Sequence, residues 1–141
     1  MWAYIDTSAM VKRYVRESGG AAVQTLAARH SLVSSVILPV ELYSAFVRRT
    51  REGTLATVAL PRLFTRVGAD RARWTLVGTT AEVIDEAQSL VENHPLRTLD
   101  ALHVASARVF QQQLRAPLLF ISADKRQLAA AAREGLRVQA V

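Results

Sequence analysis

The sequence encodes an α/β fold: a central parallel sheet of four to five short strands, covered by helices on both faces. Short apolar runs alternate along the chain with segments of helical periodicity, the pattern of a parallel sheet with crossover helices. Turn and capping residues punctuate most of the boundaries between them. The 141 residues, half of them hydrophobic and 21% charged, suffice for one domain spanning 1–141 with a substantial core. No internal repeat, low-complexity tract or linker interrupts them.

Residues 1–5 read as a short buried strand. Asp6-Thr7-Ser8 follows as a turn, with Ser8 as the N-cap of a helix over 9–17. Thr7 and Ser8 can do the capping there, which leaves Asp6 for another role. Gly19-Gly20 breaks that helix, and 21–29 resumes helical, with Val23, Leu26 and Ala27 on one face. Residues 32–34 form a second strand. Ser35 caps a helix reaching Arg51 and ending at Gly53, with Pro39 in its first turn, where a missing N–H is tolerated.

A further helix spans 55–69, and Pro61 kinks or splits it. Residues 74–77 make the third strand. Thr79 and Glu82 form a capping box for a helix that ends near Asn93-His94-Pro95. Thr98 caps the next helix, which runs to Gln113. Residues 118–122 are the fourth strand, Asp124 caps a short helix stopping at Gly135, and 137–141 close as a last strand.

Composition narrows the function. Cysteine is absent, which excludes disulfides and thiolate metal sites and fits a reducing cytoplasm. Residues 1–5 run straight into Asp6 without a basic leader region, so no signal peptide is expected. No apolar run approaches the ~20 residues of a membrane span. The net charge is +6, from 16 Arg and 2 Lys against 12 acids. A surface of that sign favours polyanions such as nucleic acid, or simply solubilises the chain.

Within this basic chain, four acids stand at strand-to-helix junctions: Asp6, Glu41, Asp100 and Asp124. The crevice beyond the carboxyl ends of parallel strands is where α/β sites form. Carboxylates gathered there repel, by about 4 kcal/mol for a pair ~4 Å apart at an effective dielectric near 20. A hard divalent ion with oxygen ligands relieves that repulsion. The combination suggests metal-dependent chemistry on phosphate.

Each acid also has a plainer reading. Asp6 and Asp124 are suited to capping helices, while Glu41 and Asp100 are suited to offsetting helix dipoles. His103 lies on the flank of Asp100 at helical spacing, as a supporting group or base, or as a packed, hydrogen-bonded histidine. Ser122 could orient a metal-bound water or simply end its strand. The remaining acids read as solvated faces or caps. No His/Cys cluster indicates zinc, no glycine-rich phosphate loop indicates a nucleotide cofactor, and no nucleophile elbow is present.

Four stretches carry a family resemblance: Tyr4-Ile5-Asp6-Thr7-Ser8, Ser34-Ser35 with Val40-Glu41-Leu42, residues 96–107 around Leu99-Asp100-Ala101-Leu102-His103, and Phe120-Ile121-Ser122-Ala123-Asp124-Lys125-Arg126. In this order and spacing, over nearly the whole chain, they resemble the PIN domain, and specifically VapC-type toxin ribonucleases. The resemblance implies a three-layer α/β/α fold and endonucleolytic cleavage of RNA with Mg²⁺, or alternatively Mn²⁺. It also implies a homodimer and a cognate VapB-like antitoxin that blocks the site.

The acidic positions of the family fall on Asp6, Glu41, Asp100 and Asp124, and its small hydroxyl positions on Ser8 and Ser122. In the implied reaction Asp6 and Asp100 hold the main ion, Asp124 completes its shell or a weaker second site, and Glu41 orients or deprotonates the attacking water. Arg13, Arg16, Arg48 and Arg49 are candidate phosphate contacts, or exposed solubilising charge. Three alternatives stay open: a PIN-like module that binds RNA or protein without cutting, a DNA-directed nuclease or phosphatase on the same metal chemistry, and a receiver-like regulator, which the order of the acids fits poorly.

Overall fold

The computed structural model describes all 141 residues. Five strands, β1 (Trp2–Ile5), β2 (Ser31–Ser35), β3 (Thr75–Val77), β4 (Leu119–Ser122) and β5 (Arg137–Ala140), form one sheet in the order β3-β2-β1-β4-β5. Every pairing is parallel; Tyr4, for example, is in register with Val33 on one side and Phe120 on the other. The seven α-helices are α1 (Thr7–Met10), α2 (Gly20–Arg29), α3 (Leu38–Arg51), α4 (Leu60–Arg71), α5 (Ala81–Asn93), α6 (Thr98–Leu114) and α7 (Lys125–Arg133).

Alternation along the central strands builds the three layers. Ala3 and Ile5 of β1 face one way and pack with Leu32, Ile121 and the apolar stripes of α1 to α4, including Val23, Leu42, Phe46 and Val67. Tyr4 faces the other way, with Val33, Phe120 and residues of α5, α6 and α7 such as Leu90, Val104 and Ala131. Both faces of β1, β2 and β4 are therefore covered, which is why β1 and β4 read as near-continuous apolar runs. The ring of Tyr4 stacks on Phe120 at a centroid distance of 5.4 Å.

Several boundaries differ from those the sequence predicts. The first helix is only one α-turn, Thr7–Met10, continued by a 3₁₀ turn at Val11–Arg13, and its N-cap is Asp6 rather than Ser8. Gly19 takes the left-handed conformation (φ 87°) that stops this segment and starts α2. Helix α3 begins at Leu38 with Ile37 as an N-cap that makes no side-chain bond, while Ser35 Oγ accepts only a long bond, 3.4 Å, from Ile37 N.

Pro61 does not kink a helix. It sits in the first turn of α4, preceded by a 3₁₀ turn at Thr57–Ala59. Thr80, not Thr79, caps α5 by accepting from Val83 N, so no box forms with Glu82. Thr98 is the first helical residue of α6, and its N-cap is Arg97. No helix is long and apolar enough to cross a membrane.

Candidate functional site

The sheet grows outward from β1 in both directions: β2 and β3 lie on one side, and the chain then crosses to place β4 and β5 on the other. The carboxyl ends of β1 and β4 thus flank the topological switch point, where an open parallel sheet leaves a crevice. Asp6 follows β1 directly, and Asp124 follows β4 after one intervening residue, Ala123. Glu41 in the first turn of α3 and Asp100 in the first turn of α6 reach the same place from opposite faces of the sheet. Glu41, Asp100 and Asp124 line a single open cavity of about 850 Å³.

Asp6 lies beneath the cavity, 1% exposed. Oδ1 accepts from Ala9 N at 3.0 Å, which makes Asp6 the cap of α1. The Ser8 hydroxyl lies 2.9 Å and 2.7 Å from the two carboxylate oxygens, and Ser122 Oγ donates to Oδ2 at 3.0 Å. Ser8 Oγ also accepts from Ala123 N, and Ser122 Oγ from Asp124 N, each at 2.9 Å. These two serines tie the β1 and β4 loops to one carboxylate. Capping and site placement therefore coincide in Asp6, contrary to the expectation that Thr7 and Ser8 would cap in its stead.

Gln127 joins the acids. Its Nε2 donates to Asp6 Oδ2 at 2.9 Å and to Asp100 Oδ1 at 3.1 Å. Both partners only accept when ionised, so the nitrogen must be the atom facing them. The amide oxygen Oε1 is buried with no partner. Asp124 Oδ1 caps α7 through Arg126 N (2.7 Å) and Gln127 N (3.0 Å), and Oδ2 receives no hydrogen bond from the protein.

The electrostatics of this group are unfavourable to charge. Burial pushes the Asp6 carboxyl above its usual range, despite the nearby His103 and the bonds from Ser8, Ala9 and Ser122. Asp100 is also raised, first by burial and then by the Asp124 carboxylate, with a smaller contribution from Asp6.

Glu41 belongs to a second chain of bonds. Its Oε2 accepts from Thr7 Oγ1 at 2.5 Å and from His103 Nε2 at 2.6 Å. The opposite ring nitrogen, Nδ1, meets the Tyr4 hydroxyl at 2.9 Å. Burial drives the Tyr4 hydroxyl well above its usual range and keeps it protonated. His103 thus bridges the two residues, its Nε2 donating to the Glu41 carboxylate and its Nδ1 meeting the Tyr4 hydroxyl. His103, 2% exposed, is both a packed, satisfied histidine and a direct support of a site acid.

The donor set suits a hard cation. It offers carboxylate and hydroxyl oxygens from Asp6, Asp100, Asp124, Ser8 and Ser122, and the one neighbouring imidazole is already committed. The amide hydrogens that Gln127 places between two acids mark where positive charge is wanted. No three His, Asp or Glu side chains stand as a ready-made metal cluster, so the residues match a divalent ion in chemistry without being preassembled around one.

The basic candidates divide. Arg48 lines the cavity mouth together with Arg97, Lys125 and Arg126, three cations that net charge does not single out. Arg13, Arg16 and Arg49 are not brought there. Arg13 pairs with Asp70 at 3.3 Å and Arg49 with Glu17 at 2.8 Å, while Arg16 borders a separate small cavity. The rim cations adjoin the acids in sequence, Arg97 three residues before Asp100 and Lys125-Arg126 just after Asp124, and that adjacency is the signal by which the sequence marks them.

Gln127 carries a signal too, as the third residue after the cap Asp124. There it reads as a capping-box glutamine that would bond the Asp124 N–H. That N–H is taken by Ser122 instead, and the Gln127 side chain turns to Asp6 and Asp100.

The PIN domain family model matches residues 3–134. No curated protein sequence matches the chain. Among solved structures the chain is similar to one from a toxin–antitoxin complex of Klebsiella pneumoniae, with 14% identity, 90% of each chain covered and a TM-score of 0.58. It is also similar to one in VapBC2 from Rickettsia felis bound to a promoter DNA fragment, with 12% identity, 99% and 98% covered and a TM-score of 0.66. A member of the VapBC family of toxin–antitoxin systems from Mycobacterium tuberculosis matches with 14% identity, 99% and 97% covered and a TM-score of 0.59. At these identities the likeness is one of fold.

Proposed function

We propose, from the premise that this chain belongs to the PIN domain family, that it is a VapC-type endoribonuclease, dependent on Mg²⁺ or Mn²⁺ and paired with a VapB-like antitoxin. The observation that carries the reading is the convergence of Asp6, Glu41, Asp100 and Asp124 at the switch point of the sheet, inside a rim of Arg48, Arg97, Lys125 and Arg126. Acids beneath a basic rim suit a polyanion whose phosphate is to be attacked. The whole of 1–141 acts as one domain, in a cytoplasmic homodimer.

Asp6, Asp100 and Asp124 would hold the ion. When bound, it supplies charge stabilisation to the phosphate as negative charge builds there. Asp6 is kept in place by Ala9 N, Ser8 and Ser122, so its carboxylate is oriented before any ligand arrives. Glu41 has its Oε2 fixed by Thr7 and His103, and Oε1 is the atom that orients the attacking water and receives its proton. The rim cations hold the flanking phosphates of the RNA and set its register over the acids.

The test is cleavage of RNA and of sequence-matched DNA with Mg²⁺ or Mn²⁺, by the wild type, Asp6→Asn and Asp100→Asn. The expected result is metal-dependent cutting of RNA by the wild type alone. Equal cutting by the variants would remove these acids from the reaction, and preferential cutting of DNA would reassign the substrate.

The lack of a preassembled three-ligand cluster favours one rival, a PIN-fold module that binds RNA or a protein without cutting. That rival predicts no acid-dependent uptake of Mn²⁺ and no cleavage at any metal concentration.

A further inference from the structure

Gln127 is the one buried side chain among the site acids whose bonding is incomplete. It is 3% exposed, its Nε2 bridges Asp6 and Asp100, and its Oε1 is buried without a partner. A buried amide oxygen left without a donor is costly, and native structures keep such groups rarely and for a reason. Turning the amide over would not help, because it would set Oε1 against two carboxylates.

The same bridge lies between two of the site acids. The amide hydrogens stand between Asp6 and Asp100, where the charge of a cation would be most stabilising. We infer that Gln127 is a place-holder for the cation: its amide holds the Asp6–Asp100 pair together in the metal-free protein and is displaced when a divalent ion binds.

The inference rests on the metal-dependent reading and adds a residue to it. Asp6 and Asp100 would hold the ion with the carboxylates that the Gln127 amide now occupies. Gln127 is in this sense a positioning residue that stabilises the empty site. Whatever stabilises only the empty form weakens ligand binding by the same factor.

The experiment compares wild type with Gln127→Met, which keeps the length of the side chain and removes both donors. Mn²⁺ binding is measured by calorimetry at fixed pH, and thermal unfolding is followed with and without Mn²⁺. The variant is expected to melt lower without metal, to bind Mn²⁺ roughly tenfold tighter, as loss of competing charge-assisted bonds requires, and to gain more from it in Tm. Equal or weaker Mn²⁺ binding by the variant would overturn the proposal.

A second measurement needs no variant. The side-chain amide protons of Gln127 are followed by NMR in the wild type as Mg²⁺ is added. Protection from solvent exchange in the free protein and its loss at saturation support displacement. Saturation with the amide still protected overturns this inference and leaves the metal site standing, whereas no binding of either ion overturns both.

Discussion

His103 Nε2 lies 2.6 Å from Glu41 Oε2, joining a residue of α6 to one of α3 across the carboxyl edge of the sheet. The two helices pack on opposite faces, so this bond spans the layers and ends in the Tyr4 hydroxyl at the centre of the sheet. Replacing His103 with Leu leaves the buried Tyr4 hydroxyl without its ring-nitrogen partner and Glu41 with Thr7 as its remaining donor. The expected outcome is a loss of about 1–3 kcal/mol in denaturant unfolding, with RNA cleavage falling about 10–100-fold, the usual cost of losing a supporting partner.

Glu41→Gln separates position from proton transfer. The amide oxygen still accepts from Thr7 and His103, so the melting temperature should stay near that of the wild type. Cleavage should fall by about 10²–10⁴-fold, the range of a lost general base. A wild-type single-turnover rate in this variant would exclude Glu41 from the reaction.

The pH dependence of metal-free stability should carry the signature of Asp100. Its folded pKa is raised from the ordinary 3.8, first by burial and then by Asp124. The proton-bound form thus favours the fold: its contribution is complete below the unfolded pKa and is lost as pH rises through the folded one. Asp100→Asn should therefore melt above the wild type near pH 7, with the gap closing by about pH 4, the unfolded carboxyl range. A gap independent of pH would contradict the repulsion.

The two classes of arginine should respond differently. Arg97→Gln and Arg126→Gln are expected to weaken RNA binding and to lower the slope of log affinity against log salt by about 0.7 for each phosphate no longer neutralised. Arg13→Gln and Arg49→Gln remove the partners of Asp70 and Glu17 instead, and should lower unfolding stability modestly while leaving that slope unchanged. Filter binding across a salt series distinguishes them.

Much of this organisation is legible along the chain because parallel strands buried on both faces are written as apolar runs. Ile5 followed by Asp6, and Ile121 followed by Ser122 and Asp124, announce both the ends of strands and the acids beyond them. The five strands and the seven helical segments follow from periodicity and punctuation, which are local properties, and the four acids are legible as residues at the junctions between them. The caps slip by a residue or two, at Asp6, Thr80 and Arg97, because neighbouring polar residues compete for a helix start and tertiary packing chooses among them.

Which side chains meet is not a local property. Gln127 and Asp6 are 121 positions apart, and the rotamer that joins them exists only because α7 starts beside the end of β1. The same packing assigns Arg13 and Arg49 to intramolecular pairs and leaves Arg97 and Arg126 around the cavity, a division that net charge alone does not contain. Local pattern thus sets the elements and the residue types at their ends. The partner of each polar group is set by strand order, because hydrogen bonds act over about 3 Å and only the folded sheet brings distant residues within that reach.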